Sequence, residues 1–174
     1  MKKSLLLCLL LFHLFTACDH PAAPQKKAEI IHLEKITRDT DILAQYPPLQ
    51  FIRRSAGRYE FMDERFLQFH EIPVNYMSFD MSDDQLHLRS IHVNMFKKKE
   101  DVHALKDKLT KAYGQPGADS SDDFSTSDDE DILVWKNGRQ LVGLFTEKNF
   151  ETVAKVAKEP TVQIVFVKPE EINN

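Results

Sequence analysis

At 174 residues, with 42% apolar and 29% charged side chains, the chain has the make-up of one ordinary globular domain and falls short of two. Its 23 Lys+Arg against 27 Asp+Glu give a formal net charge of −4, the wrong sign for a phosphate-backbone partner, which excludes nucleic acid as a ligand class. Five glycines, none in a phosphate-cradling pattern, leave nucleotide binding unsupported. The two cysteines, Cys8 and Cys18, sit near the start, so beyond Cys18 no disulfide, zinc–thiolate site or thiol nucleophile can be built.

Lys2 and Lys3 form a charged head, 5–15 is an apolar run interrupted at His13, and Thr16, Ala17 and Cys18 are small residues before polarity returns at Asp19. This is the layout of a secretory signal segment, 1–17. The run is too short to cross a bilayer, since the ~30 Å hydrocarbon core takes ~20 helical residues. It also lacks the polar stripe of an amphipathic core helix. Removing the segment leaves 21 basic against 27 acidic residues, a net of −6.

Phe15-Thr16-Ala17-Cys18 resembles the lipobox of bacterial lipoproteins, with Phe15 where the family prefers leucine. The resemblance covers the leader alone. It implies that Cys18 becomes the first mature residue, with acyl chains on its sulfur and amino group. Together such chains give stable anchoring, at ~0.8 kcal/mol per buried CH₂. The implied address is the cell envelope, at the inner or outer membrane, with the body in the periplasm or at the cell surface. In enteric bacteria the family's sorting rule reads Asp19, directly after the cysteine, as retention at the inner membrane. Ordinary cleavage after Ala17 is the competing reading and leaves a soluble periplasmic protein with a free thiol.

The stretch 18–28 contains Pro21 and Pro24 with small and polar residues and reads as a flexible tether. A single domain is expected over 29–168, with an exposed tail at 169–174. Within 29–45, Ile30, Leu33, Ile36, Ile42 and Leu43 suit one or two short helices, stopped by Pro47 and Pro48, and 49–52 suits a short strand. The runs 58–62 and 66–72 suggest a hairpin about Asp63-Glu64, carrying Tyr59, Phe61, Phe66 and Phe69 to a core, with Pro73 at an edge or bend. A second hairpin is expected from 74–81 and 86–96 across Ser82-Asp83-Asp84-Gln85. In its latter strand the apolar parity is even at Leu86 and Leu88 but odd at Ile91, Val93 and Met95, which predicts a bulge near Arg89-Ser90 or else a strand buried on both faces.

Val102, Leu105, Leu109 and Ala112 share one helical stripe opposite Lys106, Asp107 and Lys111, which predicts a helix over about 100–113. Gly114 suits its C′ position and Pro116 forbids continuation. Lys97-Lys98-Lys99 reads as a solvated connection into it. The Asp- and Ser-rich stretch 116–130, with Phe124 its one large apolar residue, reads as a mobile acidic loop. Beyond it, 132–136 and 139–146 form a hairpin joined by Asn137-Gly138, the dipeptide of a type I′ turn, with the Trp135 ring on the sheet face. Phe150, Val153, Ala154 and Ala157 suit two turns of helix or a strand ended by Pro160, and 161–167 a last strand. The expected class is α+β: an antiparallel sheet of about five to six strands with one main helix packed on one face.

No catalytic residue and no cofactor is expected. Asp122, Asp123, Asp128, Asp129, Glu130 and Asp131 are hard oxygen donors suited to calcium, but the EF-hand's central glycine is missing, and a solvated run is the plainer reading. His70 beside Glu71, His87 and His92 are weak metal candidates without zinc spacing. There is no G-x-S-x-G elbow around any serine. The leading functional expectation is a non-enzymatic, membrane-tethered module that binds or scaffolds another envelope protein. One alternative is a small-molecule or lipid carrier with a cavity between sheet and helix. Another is an envelope hydrolase using His70, Glu71 or His92.

Overall fold

The computed structural model describes residues 29–47, 49–117, 124 and 127–167. The leader with Cys18, the tether, the tail from 168 and most of the acidic loop, including Asp122 and Asp123, lie outside the described residues. Among the described residues nine strands form one sheet: β1 Ile31–His32, β2 Ile52–Ser55, β3 Arg58–Phe61, β4 Leu67–Phe69, β5 Ile72–Met81, β6 Leu88–Met95, β7 Glu130–Asn137, β8 Gln140–Glu147 and β9 Thr161–Phe166. Among the described residues there are two α-helices, the single turn α1 Ile42–Gln45 and the main helix α2 Lys99–Tyr113. The α+β class with one main helix therefore holds. The strand number of about five to six was too low, and the all-antiparallel expectation fails at one pair, because β1 runs parallel to β4.

The sheet runs β1-β4-β5-β6-β9-β8-β7, with β3 also paired to β5 and β2 outside β3. The flank of β5 away from β6 is thus forked. Its start carries β4 (Phe69↔Ile72, Gln68↔Pro73) and its end carries β3 (Phe61↔Met77 to Arg58↔Asp80). The expected hairpin between 58–62 and 66–72 does not form. Both strands are antiparallel to β5, so the chain does not reverse between them. Asp63 accepts from the Arg65 N–H at 3.2 Å and caps a 3-10 turn, Glu64–Phe66, that sends the chain onward. The reversal comes later, at His70-Glu71, a two-residue turn with φ of 48° and 66° between β4 and β5. Pro73 stands inside β5, and not at a bend; the β6 ladder begins only at Val74↔Met95, so the missing amide proton interrupts no bond on that side.

The β5–β6 hairpin forms as expected, bulge included. Asp80 pairs with Ser90 and Met81 with Leu88, so Arg89 is the extra residue, and Leu88 joins Ile91, Val93 and Met95 on the buried face. The β7–β8 hairpin also forms, one residue out of place. Asn137 pairs with Gln140, so the turn residues are Gly138-Arg139, and positive φ falls on Gly138 alone, the pattern of type II′ and not I′. Glu130 and Asp131, expected at the loop's end, begin β7.

Helix α2 ends at Tyr113 as expected: Gly114 has φ 90° and its N–H donates to Thr110 O at 2.9 Å. Glu100 and Asp101 in the first turn offset the neighbouring lysines against the helix dipole. The helix buries Val102, Leu105 and Leu109 and lies across the sheet, touching both β5 and β7. Beneath it are Met77, Phe79, Ile91, Val93, Val162 and Ile164, with Trp135 at 1% exposure near the far edge. Ile31, Leu33, Ile36 and Ile42 complete that layer. The segment after β8 is neither helix nor strand; Asn149 takes φ 61° and breaks any helix, while Phe150 and Val156 still reach the core. The opposite face of the sheet carries alternate residues such as Ser78, Asp80, Ser90, His92 and Gln163. Over β8, Phe124 packs edge-on to Phe145 at 5.8 Å and lies against Gly143.

Candidate functional site

The three histidines singled out from the sequence stand apart. His70 sits in the turn at the start of β5, His87 in the loop beyond its end, and His92 on the helix-free face between them. Ten residues of strand span about 30 Å, so these histidines share no site. His87 Nδ1 lies 2.9 Å from Asp39 Oδ1. Among the described residues no three His, Cys, Asp or Glu side chains converge on a metal position. Of the acidic run, Asp129 and Glu130 face Lys158, at 4.0 and 2.7 Å, and Asp131 accepts from the Asn149 N–H at 3.3 Å.

Around His92 a serine, a histidine and an aspartate do meet. Ser90 Oγ is 3.2 Å from His92 Nε2 and 3.4 Å from Asp80 Oδ2, and His92 Nε2 is 3.6 Å from the same Asp80 oxygen. The arrangement does not make a relay. A general base needs one ring nitrogen for the hydroxyl and the other for its orienting carboxylate, whereas here Ser90 and Asp80 share one nitrogen. Burial lowers the His92 pKa, with Arg58 adding to the fall and Asp80 opposing it, so the ring is neutral at pH 7. Arg58 Nη2 reaches the fully buried Ser78 Oγ at 3.4 Å and so belongs to the same structural network.

The His70-Glu71 turn borders an open hollow of about 440 Å³ lined by Glu34, Lys108 and Lys111. Two consecutive left-handed residues without a glycine cost about 1–2 kcal/mol each, and the surroundings hold them there. The His70 N–H donates to Glu34 Oε2 at 3.0 Å, His70 Nε2 lies 3.0 Å from Tyr113 Oη, and Lys108 Nζ donates to Glu71 Oε2 at 2.6 Å. Burial lowers the His70 pKa and raises that of Tyr113, so both are neutral at pH 7. The polar groups are spent on fastening the end of α2 to the hairpin.

A cleft of about 490 Å³ opens between α2 and β7–β8. Val102, Leu133, Leu144 and Phe150 make its apolar floor, and His103, Lys106, Asp131 and Glu151 its polar rim. The elements explain the mixture. One edge of α2's apolar stripe meets the core side of two strands at the sheet margin, where the helix's polar flank is also within reach. His103 Nε2 is 2.9 Å and Lys106 Nζ 3.5 Å from the Glu151 carboxylate, while Lys99 Nζ donates to Val153 O at 2.5 Å and stands 5.3 Å above the Phe150 ring. These bonds hold the 149–153 segment against the helix as one wall. The cleft's volume lies within the ~300–1,000 Å³ range of ligand pockets. Among the described residues the cleft offers no activated nucleophile. Sequence reading anticipated a cavity between sheet and helix but none of its rim residues. The available signal was the polar flank of α2, which reads as ordinary solvation until the 149–153 segment is laid against it. No family model, curated protein or solved structure matches the chain.

Proposed function

We propose that the chain is a lipid-anchored protein of the cell envelope that carries a small, largely apolar molecule in the cleft beside α2 without transforming it. The cleft carries the reading: about 490 Å³ with four apolar floor residues and a rim of ion-paired polar groups, within the ~300–1,000 Å³ usual for ligand seats. Support for the anchor is the pattern Phe15-Thr16-Ala17-Cys18 after an apolar run. Native mass spectrometry of the full chain purified from envelopes, with binding of the apolar dye 1-anilinonaphthalene-8-sulfonate, tests the seat. Thr146 lines the cleft, so Thr146→Trp plugs it without removing a core side chain. The wild type is expected to carry an adduct and bind dye, and the plugged variant to lose both at unchanged Tm. A bare wild-type mass with no dye binding refutes the carrier. For the anchor, Cys18→Ser is expected to move the protein from the membrane pellet to the soluble fraction.

A second reading, docking of another envelope protein, is favoured by strand β2. All four of its residues are exposed, Ile52 at 47%, and its outer flank has no partner strand among the described residues. A photo-crosslinker at Ile52 is expected to trap a heterologous band in cells if this reading is right. A monomer-only pattern removes it.

A further inference from the structure

A separate pocket of about 390 Å³ lies between the 36–39 segment and the β7–β8 turn. It brings together Arg38 and Arg139, far apart in the chain. Backbone bonds fix both: Leu88 N–H donates to Arg38 O at 2.8 Å, and Val167 N–H to Arg139 O at 2.9 Å. A third bond ties the walls, Gln140 Nε2 to Ile36 O at 2.9 Å. Two carboxylates, Glu34 and Asp39, also line the pocket. Glu34 accepts from the His70 N–H at 3.0 Å with one oxygen and lies 3.4 Å from His32 Nδ1 with the other, and Asp39 stands 2.9 Å from His87 Nδ1. Among the described residues neither arginine has a carboxylate within ion-pair distance.

We propose that this pocket binds a small organic anion, a carboxylate or phosphate ester, between Arg38 and Arg139. A guanidinium presents a planar fork of donors that matches either oxyanion and stays charged at any physiological pH. Glu34 and Asp39 in the same lining balance the two arginine charges overall, but neither guanidinium is held by a carboxylate at ion-pair distance among the described residues, so both forks of donors stay open to an external oxyanion. Ile36 and Phe166, both nearly buried, supply an apolar wall beside the charges, which suits a short hydrocarbon body on the anion. Asn137 adds an amide donor at the rim, its Nδ2 3.3 Å from Gln140 Oε1 with a second N–H to spare. The site is independent of the cleft beside α2, and neither proposal needs the other.

The test is an amide NMR titration of the full chain in nonionic detergent with inorganic phosphate and with butyrate and acetate, and, after removal of the detergent, with phosphatidylglycerol vesicles. Saturable shifts confined to 36–39 and 137–140 are expected, with half-saturation at ~1–10 mM and butyrate ahead of acetate. Arg139→Gln, at an exposed turn, is expected to weaken binding about tenfold or more. Arg38→Gln should do the same, with its fold checked by the indole resonance of Trp135. Response to the soluble anions identifies a free small molecule as the source, and response to the vesicles alone identifies a lipid headgroup. Shifts that fail to saturate, that chloride reproduces, or that persist unchanged in Arg139→Gln overturn the proposal, as does silence in every arm.

Discussion

Position 143 shows how much can turn on a single hydrogen. A β-carbon there would stand 2.9 Å from the Phe124 ring and 3.0 Å from that of Phe145, closer than carbons tolerate, so Gly143→Ala should cost about 1–3 kcal/mol of stability through overpacking. Combining it with Phe124→Ala should recover part of that loss, and urea denaturation of the double-mutant cycle measures the coupling. Two histidines set a pH dependence of defined sign. His70 and His92 both have folded pKa values pushed by burial below their ordinary 6.5. Around His70 stand Glu34, Glu71, Lys108 and Tyr113, and around His92 stand Asp80 and Arg58. The unfolded chain therefore binds more protons through that window, so stability is full above pH ~6.5 and falls as pH drops through the folded values. Denaturation midpoints taken from pH 7.5 to pH 5 should decline, and His70→Gln or His92→Gln should flatten the slope.

Among the elements, the turn joining β4 to β5 is the least comfortable. Replacing His70-Glu71 by Asn-Gly puts residues that accept left-handed φ where the backbone already has it. The exposed Glu71–Lys108 pair that is lost contributes about 0–1 kcal/mol, so the double replacement should raise stability by about 1 kcal/mol, read as a higher Tm. If Tm falls instead, the His70–Tyr113 contact outweighs the strain. Elements whose rules are local were legible beforehand. The parity slip between Leu88 and Ile91 named the bulge at Arg89, and Gly114 with Pro116 named the end of α2. The Asn137-Gly138 pair located a hairpin but not its register, since one glycine can serve either of two turn types. The strands β3 and β4 were misread because two short apolar runs about an acidic dipeptide look like a hairpin. Only the ten-residue length of β5 makes room for them end to end.

For the molecule as a whole, composition and periodicity reached the class but not the breadth of the sheet, because β1 and β4 are two and three residues long and leave no periodic trace. The rim of the cleft and the whole of the arginine pocket escaped for a related reason: each is closed by residues distant in sequence, such as Gln140 with Ile36 across 104 positions. Protection against hydrogen exchange should follow pairing. Amides of β6 and β9, flanked on both sides, should exchange slowest, and those of β1 and β2 within seconds to minutes at neutral pH. Uniform protection across all nine strands would show the margins to be as firm as the middle.

The forked flank of β5 has an architectural corollary. Because β2–β3 and β1–β4 lean on different stretches of the same strand and not on one another, either pair can be remodelled while its neighbour stays put. The β2–β3 finger, joined through a tight Ala56-Gly57 link and carrying four outward-facing side chains on its margin, is accordingly a natural grafting point. A foreign loop spliced there would ride on the scaffold without asking the rest of the barrier against water to be redrawn.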